Sequence, residues 1–323
     1  MTYTYAGPRA KALQNKLLSE NELEMLLSAK SFEEAYKNLH QTFFYNYITK
    51  QTPQNLPYIL ESVVEDAKKT LISIAPKPHL LDVLWLKYDF YNLGAIIKST
   101  MKSIPEEEIE KMCFKSGKYP PQLLVKKYTE GKMIDTNVHL LHAAKEAKNY
   151  KEVSDIGRAM NINYFRAVKE IAENNSDQFV KKYISLIIDL FNVRANLRAL
   201  SYGKENEPPY PIFISGGSFK REATENKEEL LKKFSCIGGE SACKECADEY
   251  KETGSLRMIE KRCDEHITQF IKESSYNAFS IAPLFSYFQG VKNNVQIVRI
   301  ILVAKRTGMS EYDLRKILRR LYV

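Results

Sequence analysis

The sequence predicts an all-α protein made of three related helical units of about 100 residues each, and three observations carry that prediction. First, only 13 Gly and 12 Pro occur in 323 residues, whereas Leu, Lys, Glu and Ala, all strong helix formers, are abundant. Second, apolar residues recur at helical spacing through most of the chain, as in Leu186, Ile187, Leu190, Val193 and Leu197. Third, a helical pattern with a polar seam returns: Asp89 and Asn92 reappear as Asp189 and Asn192, and Gly117 as Gly217, each pair 100 positions apart. One register fits all three pairs. A period this long excludes short-repeat solenoids, whose units run to about 34 residues in the tetratricopeptide case.

The elements follow in order. Residues 8–18 space Ala12, Leu13, Lys16 and Leu17 as a helix, with Pro8 suited to its first turn. Ser31 and Glu34 form a capping box that opens a helix over 32–39. After Pro53 and Pro57 an amphipathic run covers 58–74, and Pro76 and Pro78 end it. Residues 79–100 form the first seam helix, and a loop through Gly117, Pro120 and Pro121 closes that unit. Helical patterns recur at 122–128, 138–147 and 164–172, leading into the second seam helix at 176–200. A second loop, 206–218, carries Pro208, Pro209, Pro211, Gly216 and Gly217. The third unit runs through 227–234, 241–250 and 255–272 to a long helix at 281–303. Gly308 breaks it, and Ser310, paired with Asp313, starts a last helix. The unit boundaries fall at 1–117, 118–216 and 217–323.

On the second seam helix, Ser185, Asp189, Asn192 and Asn196 share one stripe of an otherwise apolar surface. Burying a carboxylate and two amides is costly without partners, so the stripe must face other polar groups or a hydrated cavity. The two readings are hydrogen-bonded pairs between helices and the lining of a cavity that receives a partner. In the third copy Asn293 and Gln296 stand where Asp89 and Asn92 stand in the first.

Charge and motifs narrow the function classes. A net charge of +8 admits nucleic acid, an anionic lipid surface or an acidic protein, but the 48 basic residues are mixed with 40 acidic ones, the pattern of solvated helix faces. No basic stripe with interleaved aromatics marks a nucleic-acid site. A basic scaffold for nucleic acid or an anionic membrane surface is the rival class. The N-terminus lacks the apolar core of a signal peptide, and the apolar runs at 184–193 and 295–304 contain Asp189 and Arg299 and are too short for a membrane span. Five Cys, unevenly placed, suit a reducing compartment. Cys243, Cys246, Cys263 and His266 have the arithmetic of a zinc site, but their context is helical and packed thiols are the preferred reading. His139 and His142 can share a helix face without a third ligand nearby. Arg315, Arg319 and Arg320 lie on the last amphipathic stretch. The phosphate loop G-x-x-x-x-G-K-[ST] is absent, so nucleotide hydrolysis is not expected, and with no other constellation to support an enzyme neither catalysis nor a cofactor is expected.

Several features taken together resemble one family. They are Tyr5-x3-Arg9 followed by Leu17-Leu18, the repeated D-x-x-N-[LV] helices, the loop from Phe213 to Ser218, Pro283-Leu284, the stretch from Asn293 to Arg299, the Gly308 loop and the ending EYDLRKILRRLYV. As a set they resemble the C subunit of bacterial and archaeal V/A-type rotary ATPases, the counterpart of the d subunit in eukaryotic vacuolar ATPases. The resemblance implies a funnel of three pseudo-threefold units in the central stalk. It also implies seating on the cytoplasmic face of the membrane rotor ring, the D and F shaft subunits as partners, and no nucleic acid. Candidate interface residues are then Asp89, Asn92, Asp189, Asn192 and Asn196 on the seams, with Arg194, Arg198 and Arg299 beside them.

Overall fold

The computed structural model describes residues 3–49, 52–150, 152–202, 213–219, 240–255 and 257–318, together with 229, 232, 233, 321 and 322. Among these the regular structure is entirely helical, with fifteen α-helices and no strand. The expected elements within the described residues are present with shifted ends, while the helix expected at 227–234 lies mostly outside them. The helix at 58–74 starts at Leu56 (α5, Leu56–Ile74), and the one at 164–172 is a longer α10 (Val153–Glu173). The seam helices are α6 (Asp82–Met101) and α11 (Gln178–Tyr202).

Helix starts follow local chemistry. Ser310 accepts the backbone N–H of Asp313 at 3.1 Å, capping α15 (Glu311–Ile317) as the sequence predicts. Ser31 likewise accepts from Glu34 at the start of α3 (Phe32–Asn38), but the Glu34 carboxylate takes the Lys30 N–H at 2.7 Å instead of closing a box. The complete capping box is one helix earlier, where Ser19 and Glu22 open α2 (Glu20–Ser28). Its signal, S-x-x-E, is present in the sequence at both places.

Two compact units organise the chain: Met1–Leu81 with Ile271–Val323, and Asp82–Phe270. The unit boundaries expected at 117 and 216 follow the sequence period instead and lie inside the second compact unit.

In the first unit, α14 (Ala282–Arg306) packs against α1 (Ala6–Gln14), α3 and α5. Phe44, Phe285, Phe288, Leu18, Leu26 and Ile59 fill its interior. Polar ties join the distant ends of the chain. Ser286 hydrogen-bonds both Gln14 and the Tyr322 hydroxyl, and burial pushes that phenol up to about 12. The Lys305 ammonium donates to the Leu27 carbonyl at 2.6 Å, satisfying the last turn of α2, and Arg315 grips Glu24 with two bonds at 2.8 and 2.6 Å.

A core of the second unit lies where α6 meets α8 (Pro121–Thr129), α9 (Val138–Ala147) and α10, around Phe90, Leu93, Leu124, Leu140, Ile156 and Met160. The ring of Phe165 of α10 packs at a tilt against that of Phe191 of α11 with centres 4.7 Å apart, which carries the packing into the second seam helix.

One polar group in the first unit stands out. Asn294 of α14 is fully buried, and neither its Oδ1 nor its Nδ2 has a hydrogen-bond partner among the described residues. An orphaned buried amide costs about 1–3 kcal/mol. Replacing it with the similarly sized Asn294→Leu is expected to raise stability by about 1 kcal/mol, read as a higher urea midpoint at unchanged slope.

Candidate functional site

The polar seams close on their own loops. On α6, Asp89 and Asn92 lie one turn apart, 0% and 1% exposed. The Asn92 amide pairs with the backbone of one loop residue, donating to the Phe114 carbonyl at 2.8 Å and accepting its N–H at 2.7 Å. Asp89 accepts the N–H groups of Lys118 at 2.8 Å and Tyr119 at 3.0 Å, one on each oxygen. The loop is therefore held at both ends.

The arrangement repeats on α11. Asn192 donates to the Ile214 carbonyl and accepts its N–H, both at 2.8 Å. Asp189 accepts from the Ser218 N–H at 2.9 Å, the Ser218 hydroxyl at 2.6 Å and the Phe219 N–H at 3.2 Å. Sequence separations within the two clamps are identical, at 22, 29 and 30 residues. Hydrogen bonds to an ionised acceptor are about twice as strong as neutral ones, which is how a buried carboxylate is accommodated here.

The hundred-residue glycine pair has the same cause. A Cβ on Gly117 would collide with Oδ1 of Asp89, and one on Gly217 with Oδ1 of Asp189. Each carboxylate presses against bare backbone, and only glycine leaves room.

The clamps differ in what they present. Phe114 is 43% exposed and its ring lies 5.4 Å from that of Tyr88, whereas Ile214 is buried. Lys118 turns back to Asp82 at 2.6 Å. The second loop is met instead by Lys169 of α10, whose ammonium donates to the Ser215 hydroxyl at 3.1 Å. Phe219 packs with Leu190, Val193, Ile259, Cys246 and Cys263, so this loop is also held by an apolar cluster.

The third copy closes differently. Asn293 is buried and Gln296 half-buried on α14, but the short loop at Gly308 bonds back to its own helix, Thr307 N–H to the Val303 carbonyl and Met309 N–H to that of Ala304, both at 3.0 Å. With φ of 71°, Gly308 occupies the left-handed region that ends many helices.

Among the candidate residues, Asp89, Asn92, Asp189 and Asn192 are thus brought together with loop backbone. Arg194 is half-buried, its guanidinium 3.9 Å from Asp264, and Arg299 is exposed on α14. The side chains of Asn196 and Arg198 lie outside the described residues, as do Arg319 and Arg320. Sequence reasoning missed Phe114, Tyr119, Ile214 and Phe219 as the residues clamped. The signal was the shared pattern of an apolar residue, glycine three later and an aromatic five later.

Of the zinc-like set, Cys246 and Cys263 are fully buried in the apolar cluster, and burial pushes the Cys263 thiol up to about 12. His266 is half-buried, while the Cys243 side chain lies outside the described residues. His139 contacts Glu170 through Nε2 at 2.9 Å and meets His142 edge to face. Among the described residues no group of three or more His, Cys, Asp or Glu could hold a metal ion, and no helix is long and apolar enough to cross a membrane.

Comparison with known proteins gives a consistent result along the chain. The model of the ATP synthase (C/AC39) subunit family matches residues 7–317. The C subunit of the A-type ATP synthase of Desulfurococcus sp. (strain SY) is 20% identical, over 98% of this chain and 90% of its own. That of Methanocaldococcus jannaschii is 21% identical, over 98% and 86%. The C subunit of the V-type sodium ATPase of Enterococcus hirae is 19% identical, over 100% and 99%.

Two outcomes follow from the clamp and the cluster. Asp189→Ala and Gly217→Ala are each expected to cost about 2–4 kcal/mol, one by stranding backbone donors and the other by collision. The double variant should cost clearly less than the sum, because removing the carboxylate removes the collision; urea unfolding of all four proteins measures the cycle. Cys263, protonated at pH 8, should resist iodoacetamide in the folded protein and react fully once urea exposes it, as followed by mass spectrometry.

Proposed function

Because the chain belongs to the ATP synthase (C/AC39) subunit family, we propose that it is a non-catalytic central-stalk subunit of a rotary ATPase. In this role it joins the D and F shaft of the soluble sector to the membrane rotor ring, peripherally and on the cytoplasmic face. It thereby couples ATP hydrolysis or synthesis to proton or sodium transport. The observation that carries the reading is the family match across residues 7–317, unbroken by any stretch that would add a phosphate loop.

The clamps supply what a torque-bearing adaptor needs. Transmitted force must not be lost in soft connections, and a loop bonded at both ends to a buried helix face is a stiff one. Asp89, Asn92, Asp189 and Asn192 then serve a partner indirectly, by fixing residues 114–119 and 214–219, while Arg194, Asn196, Arg198 and Arg299 are proposed as contacts. The three-unit funnel implied by the sequence resemblance belongs to the same proposal.

Affinity capture of the tagged chain from detergent-solubilised membranes should bring down the other components of a rotary ATPase. Vesicles holding the complex without this chain should hydrolyse ATP and move no ions, and adding it back should restore pumping. Capture without ATPase components, or ion pumping undiminished in its absence, overturns the reading.

A further inference from the structure

Away from both clamps, the first unit carries an open cleft of about 550 Å³ between the α2–α3 turn, the turn at Pro53 and the C-terminal end of α14. Lys30, Lys305 and Arg306 line it together with Phe32, Glu33 and Gln54. Three cations against one carboxylate give it a positive interior.

Two of the cations are held in place. Lys305 is half-buried with its ammonium anchored on the Leu27 carbonyl at 2.6 Å, leaving further N–H donors on the same group. The Arg306 guanidinium lies 4.2 Å from the centre of the Phe32 ring. That ring is buried and stacks in turn on Tyr36, with centres 6.1 Å apart. A guanidinium held by its cation–π contact to a ring still carries N–H donors that can meet a carboxylate. Cations fixed before binding lose less side-chain entropy when an anion arrives.

We propose that this cleft docks an acidic segment of a partner protein, with carboxylates spread over Lys30, Lys305 and Arg306. At about 550 Å³ the cleft is wide for a single compact anion. Glu33, exposed on the same wall, opposes a dense multiple charge more than it opposes separated carboxylates. The Gln54 amide adds a donor and an acceptor suited to peptide backbone. This inference does not depend on the rotary reading.

The test is fluorescence anisotropy of a labelled ten-residue Asp/Glu-rich peptide titrated with the full chain at 0.15 M salt, beside its Asn/Gln counterpart. The acidic peptide should bind and the amide version should not. Lys30→Gln with Arg306→Gln should weaken binding about tenfold, and Arg306→Lys should recover part of it. The pair Lys102→Gln with Lys148→Gln, exposed lysines of the second unit with the same loss of charge, should leave binding within twofold. Equal weakening by the two pairs overturns the proposal in favour of diffuse attraction. Displacement of the peptide by low-millimolar inorganic phosphate overturns it in favour of a phosphate site.

Discussion

A carboxylate withdrawn from water must be met by donors, and at Asp89 and Asp189 all the donors described come from the chain's own loops. Much else in the second unit depends on that requirement. The helix must place an amide one turn away to hold the loop's other end, the loop must return after 22 residues, and glycine must stand where backbone and carboxylate touch. The hundred-residue repeat is the sequence trace of these linked demands. Apolar residues around them are free to vary in shape, as Phe114 against Ile214 shows, because the clamp addresses backbone and not side chain.

Departures between the copies are informative for the same reason. Lys118 spends its ammonium on Asp82, whereas Ser218 adds its hydroxyl to the carboxylate that already holds its N–H. In the third copy the loop is too short to reach back to the seam and satisfies its own helix end instead. Asn294 stands in this seam in place of a carboxylate, its amide without a hydrogen-bond partner among the described residues. A buried amide without partners costs far less than a buried charge would.

Much of this was legible in the sequence. Helical spacing located most of the long helices to within a few residues, since amphipathic periodicity reports burial directly, although it began α10 at 164 instead of Val153, and the Ser310–Asp313 cap follows from side-chain chemistry alone. Periodicity also exposed the polar seams. It could not say what faces them, because a helix pattern records which face is buried and not which segment returns to cover it. The helix-to-helix pairing and the hydrated cavity weighed for the seam both overlook loop backbone, although Gly117 and Gly217 were already in register with the aspartates. Ser31 shows the other limit: its S-x-x-E spacing is right, but the Glu34 carboxylate takes the backbone N–H of Lys30. Association of the first 81 residues with the last 53 leaves no local mark at all.

That association sets an order on synthesis. The helices before Asp82 expose the apolar faces that α14 will cover, yet α14 is translated only after the 189 residues of the second unit. At about 5–20 residues per second the interval is roughly 10–40 s. During it the nascent N-terminal segment carries Leu18, Leu26, Phe44 and Ile59 without their final neighbours, while the second unit has all of its own sequence and can fold first. The ribosome-bound chain therefore presents an unfinished hydrophobic surface at its leading end, a natural point of engagement for a chaperone that binds extended apolar segments.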